Sequence, residues 1–371
     1  MNALGIIFSD HYSESGLFNS LTAIRTPASL PYAGRYRTID FTLSAMVNAQ
    51  ITNVGIIAKE NYGSLVDHLG SGEDWDLNRR KGGLTMLSPL ARPDSHTIAA
   101  RGRLDALRSI KGYIEDQQQK YVVMAFGGAV ANVDLDEMLR FHEQSGSYLT
   151  IAYADIPANK GEMTLSIDQD GRINDLAYLP AETEKPCPCS LSIYLMSRKD
   201  LLDFLEEAYN KDYTHMNREL VQKNLSNKKI CAYHHKEYAR IIRTAEDYFA
   251  AGMEILEPAV QKGLFPKDRP VYTKVKDSVP TFYGYHAKVE NSLIADGCTI
   301  KGTVKNSILF RGVTVEEGAV VENAILMQKS KIGADSKVSY VITDKNVTIG
   351  ANNDLKGTPK APFVIGKDKE V

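Results

Sequence analysis

Short apolar runs alternate with helical patterns along the first part of the chain. Runs of aliphatic and aromatic residues predict buried strands at 3–8, 54–58, 121–126 and 148–154. Apolar residues at helical spacing predict helices at 37–48, 103–119 and 134–144. Strands that alternate with helices are typical of a parallel sheet with right-handed crossovers. The pattern therefore predicts an α/β domain with a mostly parallel sheet.

The pattern changes towards the end of this first domain. It predicts a hairpin at 165–173, a strand at 190–196 and helices at 199–209 and 245–256. Residues 264–277 combine prolines with basic residues and have no periodicity, which is typical of a linker. We therefore expect a first domain at 1–258, a linker at 259–284 and a second domain at 285–371.

A short apolar unit repeats in the last ninety residues. It starts at four valines, more loosely in the last copy: Val289, Val304, Val321 and Val338. Successive copies begin 15, 17 and 17 residues apart, with glycine-containing turns between them. A period near 18 residues with one inward aliphatic residue per unit predicts a short parallel β-helix. Its open end and flat faces suit packing against other domains or subunits.

Composition narrows the class of protein. The chain has 371 residues, 43% of them hydrophobic, which is enough for two domains with full cores. Its net charge of -2 gives no reason to expect nucleic acid or a membrane surface as a partner. No apolar run approaches the roughly 20 residues of a spanning helix, and the N-terminus has no basic leader. We expect a cytoplasmic protein.

The four cysteines are too few and too scattered for a disulfide framework. Cys187 and Cys189 could hold zinc together with His234 or His235, but the spacing matches no standard zinc knuckle. Reduced loop cysteines are the favoured interpretation.

The turn after the strand at 121–126 is where an open parallel sheet would bind its ligand. Residues 127–132, GGAVAN, contain no acid, base, nucleophile or metal ligand. This turn is either a plain connection or a site that has lost its working side chains.

Several motifs, in order along the chain, resemble one enzyme family. Residues 31–44, PYAGRYRTIDFTLS, are similar to the segment P-F-G-G-K-Y-R-I-I-D-F-x-L-S of glucose-1-phosphate adenylyltransferase, also called ADP-glucose pyrophosphorylase. Residues 72–87 and 184–186 also fit that family. The resemblance implies a Rossmann-like nucleotidyltransferase domain followed by a left-handed β-helix. It also implies a reaction in which ATP and glucose 1-phosphate give ADP-glucose and pyrophosphate with the help of Mg²⁺.

The positions that carry this chemistry in the family hold other residue types here. The metal aspartates fall at Gly128 and Ile241, and the lysine of the family's R-A-K-P-A segment falls at Pro27. The glycine-rich first loop, here residues 8–17, lacks its paired glycines and its arginine. The family's sugar-phosphate lysine has become Arg240, which with Arg243 could keep a vestigial sugar-phosphate site. The resemblance therefore implies no catalytic residue, no metal and no cofactor bound by this chain.

This pattern is similar to the GlgD-type, non-catalytic subunits of the bacterial enzyme. That resemblance implies a heterotetramer with a catalytic subunit, which would use the Mg²⁺ in glycogen synthesis. This chain would raise the activity of its partner or set its regulation. Self-association of the chain alone stays open as well.

Four alternative interpretations concern the charged residues and the function of the chain. Arg35 and Arg37 could mark an effector or anion site, although pairing with Asp40 and surface acids is favoured. An active enzyme could use Asp10 or Asp134 as substitute metal ligands, but Asp134 fits a helix N-cap better. A stand-alone sensor of sugar phosphates or nucleotide sugars would bind its ligand without a partner. A β-helix acyltransferase is disfavoured because no histidine lies in the repeats.

Overall fold

A computed structural model describes residues 1–10, 21–89 and 100–371 of the protein. Its α-helices are α1 Thr38–Asn48, α2 Gly63–Leu69, α3 Arg103–Ser109, α4 Lys111–Glu115, α5 Leu135–Ser145, α6 Arg198–Asn210, α7 Ala245–Glu254 and α8 Pro258–Leu264. Short 3₁₀ turns lie at Pro27–Ser29, Glu73–Trp75 and Gln222–Asn224, and a π-helical turn lies at Asn217–Val221. No helix in the described ranges is long and apolar enough to cross a membrane.

The strands fall into two groups. Those of the first domain are β1 Ala3–Phe8, β2 Pro31–Tyr32, β3 Tyr36–Arg37, β4 Asn53–Ile57, β5 Gly83–Leu87, β6 Tyr121–Phe126, β7 Ala129–Ala131, β8 Leu149–Ala158, β9 Met163–Ile167, β10 Ile173–Tyr178, β11 Thr183–Ser197, β12 Ile230–His234 and β13 Ala239–Ile241. Those of the second domain are β14 Phe282–Tyr283, β15 Lys288–Glu290, β16 Leu293–Ile294, β17 Thr299–Ile300, β18 Thr303–Lys305, β19 Ile308–Leu309, β20 Thr314–Val315, β21 Val320–Glu322, β22 Ile325–Leu326, β23 Lys331–Ile332, β24 Lys337–Ser339, β25 Val341–Thr343, β26 Thr348–Ile349, β27 Asp354–Lys356 and β28 Phe363–Ile365.

A nine-stranded sheet forms the centre of the first domain. Strands β6, β1, β4 and β5 are parallel neighbours, and every residue of β1, β4 and β6 is buried. Strand β11 adds to this block in an antiparallel direction and carries β8 and the β9–β10 hairpin. Apolar cores cover both faces of the sheet, as continuous apolar strands require. The α/β prediction is confirmed.

The helices begin and end for local chemical reasons. The Asp134 carboxylate accepts a hydrogen bond from the Glu137 amide at 2.8 Å, which confirms the predicted N-cap of α5. The prediction of a single helix at 103–119 is wrong, because this stretch forms two helices, α3 and α4. Ile110 leaves helical geometry there, with φ -104° and ψ 15°, and Gly112 follows with its low helix propensity.

The second domain is the predicted short left-handed β-helix. Three parallel sheets of five strands surround one core, and each coil supplies one strand to each sheet. The repeating valines Val304, Val321 and Val338 stack in register and are fully buried. The asparagines of the repeat, such as Asn291 and Asn323, turn the corners with φ of 42° and 48°. Asparagine adopts this left-handed geometry more readily than other non-glycine residues, which explains its place in the repeat.

The stretch expected as a linker is shorter than predicted. Helix α8 extends into it as far as Leu264, and β14 already belongs to the β-helix. The irregular segment is therefore 265–281. A proline at the first position starts α8, and Leu264 is fully buried, so this turn of chain packs as part of the first domain.

The two domains share a buried core. Phe249 of α7 lies in one apolar cluster with Ile308 and Ile325 of the β-helix. A Cβ atom added to Gly252 would lie 2.5 Å from Cδ1 of Ile325, so glycine permits this close approach. The Arg25 guanidinium donates a hydrogen bond to the Asp344 carboxylate across the same interface at 2.7 Å. This contact holds the β-helix against the first domain.

Candidate functional site

The structure brings together the two positions where the resemblance places the family's metal aspartates. Strands β7 and β13 pair antiparallel, with Ile241 opposite Ala129. Gly128 is the residue before Ala129 and follows the carboxyl end of β6. We call this place the Gly128–Ile241 centre. It lies at the edge of the parallel strands where the sequence predicted a ligand site.

The Phe126 ring fills the space beside Gly128. A Cβ atom added to Gly128 would lie 2.4 Å from Cε1 and 2.5 Å from Cζ of that ring. Phe126 is only 2% exposed, and the Arg103 guanidinium lies 5.3 Å from its ring centre and 5.9 Å from that of Phe8. The Phe126 ring, with the Arg103 guanidinium close to it, therefore occupies the position where a side chain at residue 128 would project.

The Gly128–Ile241 centre does not fit Mg²⁺. This ion binds carboxylate, carbonyl and water oxygens, and neither side chain of the centre supplies an oxygen. Across the described ranges, no group of three or more His, Cys, Asp or Glu residues is placed to hold a metal ion.

Replacing Gly128 with alanine is expected to lower the free energy of unfolding by about 1–3 kcal/mol, because the new Cβ must displace the Phe126 ring. Gly112→Ala is the matched control, because a Cβ there meets nothing within 4 Å and alanine favours the helix. Adding Phe126→Leu to Gly128→Ala should recover part of the loss, as expected for residues in contact. Urea unfolding measures all three. A Gly128→Ala variant as stable as the wild type would show that the ring does not fill the site.

The two substitute acids have other partners. Asp134 caps α5 and also pairs with Arg269 at 3.3 Å. Asp10 accepts hydrogen bonds from the Lys59 amide at 3.0 Å and the Ser9 hydroxyl at 2.9 Å. Burial raises the pKa of the Asp10 carboxyl, which disfavours the charged form that a metal ligand needs.

Pro27 starts the 3₁₀ turn Pro27–Ser29, and its carbonyl accepts a hydrogen bond from the Thr38 hydroxyl at 2.8 Å. Pro27 therefore shapes the local backbone at the position where the resemblance implies a lysine. Most of the predicted first loop, from residue 11 onwards, lies outside the described residues.

The two arginines of the predicted sugar-phosphate site are already engaged within the chain. The Arg240 guanidinium donates two hydrogen bonds to the Glu254 carboxylate, which raises the pKa of Arg240. Arg243 donates to the Gly161 carbonyl at 3.0 Å and lies near the buried carboxyl of Glu162. A phosphate would have to displace these partners.

Glu162 makes this cluster sensitive to pH. It is 2% exposed, and burial raises the pKa of its carboxyl from 4.5 to about 7. The folded chain therefore holds this proton more tightly than the unfolded chain. The free energy of unfolding falls as the pH rises from about 4.5 to 7 and is unaffected by this group above that range.

Glu162→Gln should remove this dependence. Between pH 5 and pH 8 the wild type should lose up to about 3 kcal/mol more than the variant. Urea unfolding of both proteins at each pH gives the difference between their free energies of unfolding. Contributions from the other titrating groups cancel in that difference. Equal losses in the two proteins would contradict the raised pKa.

The zinc interpretation fails because the histidines and the cysteines have different partners. His234 pairs with Asp155 at 3.0 Å, and His235 lies 3.3 Å from Glu237. The Sγ atoms of Cys187 and Cys189 lie 3.5 Å apart as free thiols.

A pocket rich in cations lies where the irregular segment passes between the two domains. Its volume is about 520 Å³, and Asp277 is the one carboxylate among the described residues that line it. Eight basic residues line it: Arg35, Arg37, Lys274, Lys276, Arg311, Lys329, Lys345 and Lys367. We call it the basic pocket.

Arg35 and Arg37 do not pair with Asp40 as favoured from the sequence. Asp40 accepts hydrogen bonds from the backbone amide of Arg37 at 2.9 Å and contacts the His68 ring at 2.6 Å. The Arg37 guanidinium donates to the carbonyl and the hydroxyl of Ser64 at 2.6 and 2.8 Å. Arg35 is exposed, with its guanidinium 5.9 Å from the Tyr36 ring centre. These arginines keep their positive charge for the basic pocket.

Three of the six other cations of the basic pocket are also without an ion pair. Lys274, Arg311 and Lys367 have carboxylates at 3.4–3.7 Å. Within the described part of the chain, five lining cations form no ion pair: Arg35, Arg37, Lys276, Lys329 and Lys345. Burial, together with repulsion from Arg37 and Arg25, lowers the pKa of Lys345 to about 8. Burial and neighbouring cations also lower the pKa of Lys276. Such a cluster is well suited to bind an anion.

Sequence reasoning found two of the eight basic residues. The other six come from the irregular segment and from four coils of the β-helix, and no local pattern connects them with residues 35–37. The lysines at 274 and 276 are the one usable signal in the sequence, although prolines combined with basic residues are also typical of a linker.

Comparisons with known proteins agree with both domains. Residues 18–256 match the family described as Nucleotidyl transferase, and residues 278–359 match the one described as GlmU-like, C-terminal hexapeptide. The chain is 36% identical to Glycogen biosynthesis protein GlgD of Bacillus subtilis (strain 168), over 98% of this chain and 95% of that protein. The protein of the same name from Geobacillus stearothermophilus is 37% identical over 98% of this chain and 96% of that protein. Glucose-1-phosphate adenylyltransferase of Clostridium perfringens (strain 13 / Type A) is 31% identical over 95% of this chain and 91% of that protein.

Proposed function

The chain belongs to the nucleotidyl transferase family that includes the GlgD proteins and glucose-1-phosphate adenylyltransferases, and on this premise we propose that it is a non-catalytic subunit in glycogen biosynthesis. It would regulate or enhance a catalytic adenylyltransferase that makes ADP-glucose from ATP and glucose 1-phosphate. The observation that carries this proposal is the Gly128–Ile241 centre, where the Phe126 ring stands in the place of a metal-binding side chain.

The absence of suitable side chains supports inactivity in physical terms. Attack of a sugar phosphate on the α-phosphorus of ATP requires positive charge to neutralise the phosphates and a metal ion to position them. The centre offers a glycine, an isoleucine and an aromatic ring, while Arg240 is held by Glu254. Each lost electrostatic contact of this kind typically costs about a hundredfold in rate or more. Several losses together leave no measurable turnover.

The proposed partner is a catalytic subunit of the same family, in a hetero-oligomer that we expect to be a heterotetramer. Mg²⁺ would be bound by that subunit, and this chain would need no cofactor of its own. Its contribution would pass through the subunit interface as a coupling free energy.

The basic pocket supports a regulatory role. Five cations that form no ion pair with the described residues face one cavity that both domains line, so an anion there would contact the two domains at once. Phosphorylated metabolites have the matching charge, because arginine and lysine bind phosphate oxygens strongly. We propose that the basic pocket, with Arg35 and Arg37, is an effector site.

Reconstitution tests the proposal. The purified chain would be titrated into a catalytic glucose-1-phosphate adenylyltransferase while pyrophosphate release is followed with ATP, glucose 1-phosphate and Mg²⁺. The rate or its dependence on effectors should change several-fold and saturate at a fixed molar ratio. Size-exclusion chromatography should show one mixed species. No change in rate together with separate elution would contradict the proposal.

A stand-alone sensor is the second candidate, because the basic pocket is complete within one chain. A sensor would bind a phosphorylated ligand in the same way but leave the kinetics of every catalytic homologue unchanged. The reconstitution experiment therefore separates the two functions.

A further inference from the structure

Two thiols lie side by side on β11. Cys187 and Cys189 are two positions apart in the strand, so their side chains project from the same face. Their Sγ atoms lie 3.5 Å apart, and both are free thiols. A disulfide bond is about 2.0 Å long, so a movement of roughly 1.5 Å would bring the two sulfur atoms to bonding distance.

The strand is irregular around this pair. Its register against β8 shifts on both sides, between Thr183 and Cys187 and between Ser190 and Ile193. Pro188, between the two cysteines, has no amide hydrogen and donates no hydrogen bond to a neighbouring strand. The backbone can therefore adjust here with fewer ladder hydrogen bonds to break.

The two thiols differ in their access to solvent. Cys187 is half-buried, whereas Cys189 is fully buried. Burial, the neighbouring Cys187 thiol and Glu162 raise the pKa of the Cys189 thiol. A small oxidant therefore reaches Cys187 first, and Cys189 needs a base beside it to become a nucleophile.

The Glu162 carboxyl is placed to be that base. Thr164 of β9 lies opposite Cys189, and Glu162 comes two positions before Thr164, which puts it on the face of the sheet that carries both cysteines. Glu162 is 2% exposed, and its Oε2 atom has no hydrogen-bond partner among the described residues. Burial raises its pKa to about 7, with smaller effects from the charges of Arg243 and Asp247. At pH 8 this group is therefore largely a carboxylate that can accept a proton.

We propose that Cys187 and Cys189 form a peroxide-sensitive dithiol site, with Glu162 as the proton acceptor. The Cys187 thiolate attacks hydrogen peroxide, the O–O bond breaks, and a sulfenic acid and hydroxide form. Cys189 gives its proton to Glu162, and its sulfur attacks the Cys187 sulfur. The S–O bond breaks as the S–S bond forms, and the leaving hydroxide takes that proton to become water. In total, the two thiols lose two electrons and two protons, and one peroxide becomes two waters.

The resulting bond suits a reversible modification. A disulfide between positions 187 and 189 closes a short ring within one strand, so we expect it to be strained. Strained disulfides are the readily reduced ones, which distinguishes this bond from a structural cross-link.

Titration of the reduced chain with hydrogen peroxide at pH 8, without air, tests the proposal. The mass should fall by about 2 Da, the peptide with Cys187 and Cys189 should stop reacting with an alkylating reagent, and dithiothreitol should restore both thiols. Cys189→Ala should leave a Cys187 sulfenic acid that dimedone traps. Glu162→Gln should slow disulfide formation about tenfold or more and let the same sulfenic acid accumulate, which a merely structural role would not produce.

Cys298→Ser is the matched control, because Cys298 is also buried and its hydrogen bond to the Phe310 carbonyl at 3.2 Å suits a hydroxyl equally. It should be oxidised like the wild type. Phenylarsine oxide gives a second measurement that needs no oxidation, because its trivalent arsenic bonds two neighbouring thiols at once. The wild type should retain it at one per chain, and Cys187→Ser should not.

Three results would each overturn the proposal: a disulfide between two chains, a Cys187 sulfinic acid in place of the disulfide, or a wild type that does not retain the arsenical. An unchanged rate of disulfide formation in Glu162→Gln would overturn the part assigned to Glu162. These measurements use this chain alone and no adenylyltransferase, so their outcome is independent of the proposed regulatory function.

Discussion

Replacing Arg25 with methionine is expected to lower the free energy of unfolding by about 3–5 kcal/mol. The Arg25–Asp344 pair is 2.7 Å long, and its two side chains are 2% and 1% exposed. Removal of the guanidinium leaves the Asp344 carboxylate buried without its counterion. The second oxygen of that carboxylate has no hydrogen-bond partner among the described residues, and the first keeps only the uncharged Lys345 backbone amide at 2.6 Å.

The Arg25–Asp344 pair connects the first domain to the β-helix, so the lost free energy reports on the interface between them. Arg25 precedes the turn Pro27–Ser29 of the first domain, and Asp344 belongs to the β-helix beside Lys345 of the basic pocket. Urea unfolding monitored by fluorescence measures the stability of both domains. Lys301→Met is the control, since it removes an exposed pair with Glu316 and should cost less than about 1 kcal/mol. The double variant Arg25→Met with Asp344→Leu should be more stable than Arg25→Met alone. A loss below about 1 kcal/mol for Arg25→Met would contradict this account of the interface.

Reversing the charge of Lys345 is expected to weaken anion binding in the basic pocket about a hundredfold. The change removes one charge-assisted hydrogen bond and adds repulsion towards the ligand, together about 3 kcal/mol. Tripolyphosphate is a suitable probe because its charges can reach several of the eight basic residues at once. Isothermal titration calorimetry with Lys345→Glu gives the change. Lys337→Glu alters the overall charge equally outside the pocket and should have little effect. Equal effects of both variants would show that the binding is not at this pocket.

The same lysine should make binding depend on pH. Lys345 is protonated below its pKa of about 8 and loses its charge above it. The wild type should therefore bind the probe more weakly as the pH rises from 7 towards 9. A Lys345→Met variant has no titrating amine at this position, so it should lack the part of the change that is due to Lys345. Titration of the probe itself affects both proteins equally and cancels when they are compared.

Periodicity explains how much of the fold could be predicted. The β-helix was visible because a valine recurs in four coils and is followed two positions later by an asparagine corner in three of them, with Tyr340 at that corner in the fourth. The parallel strands were visible because burial on both faces requires continuous apolar runs. The break at Ile110 was missed because the apolar spacing of α3 continues across it into α4.

The candidate site was less predictable because it depends on contacts between distant residues. The sequence shows that residue 128 is a glycine, but the position of the Phe126 ring depends on how Arg103 packs over it. Pairing of Arg37 with Asp40 was plausible from their spacing, yet Asp40 is occupied by His68 and the guanidinium reaches Ser64. The basic pocket exists only when the β-helix docks on the first domain.

Pyrophosphate release by the purified chain alone tests the central claim most directly. The assay contains ATP, glucose 1-phosphate and Mg²⁺, with a catalytic glucose-1-phosphate adenylyltransferase as the positive control. Because the Gly128–Ile241 centre offers no metal ligand, we expect a rate equal to the buffer blank. Turnover that scales with the concentration of this chain, and that is lost when Mg²⁺ is chelated, would contradict the account and require metal ligands elsewhere.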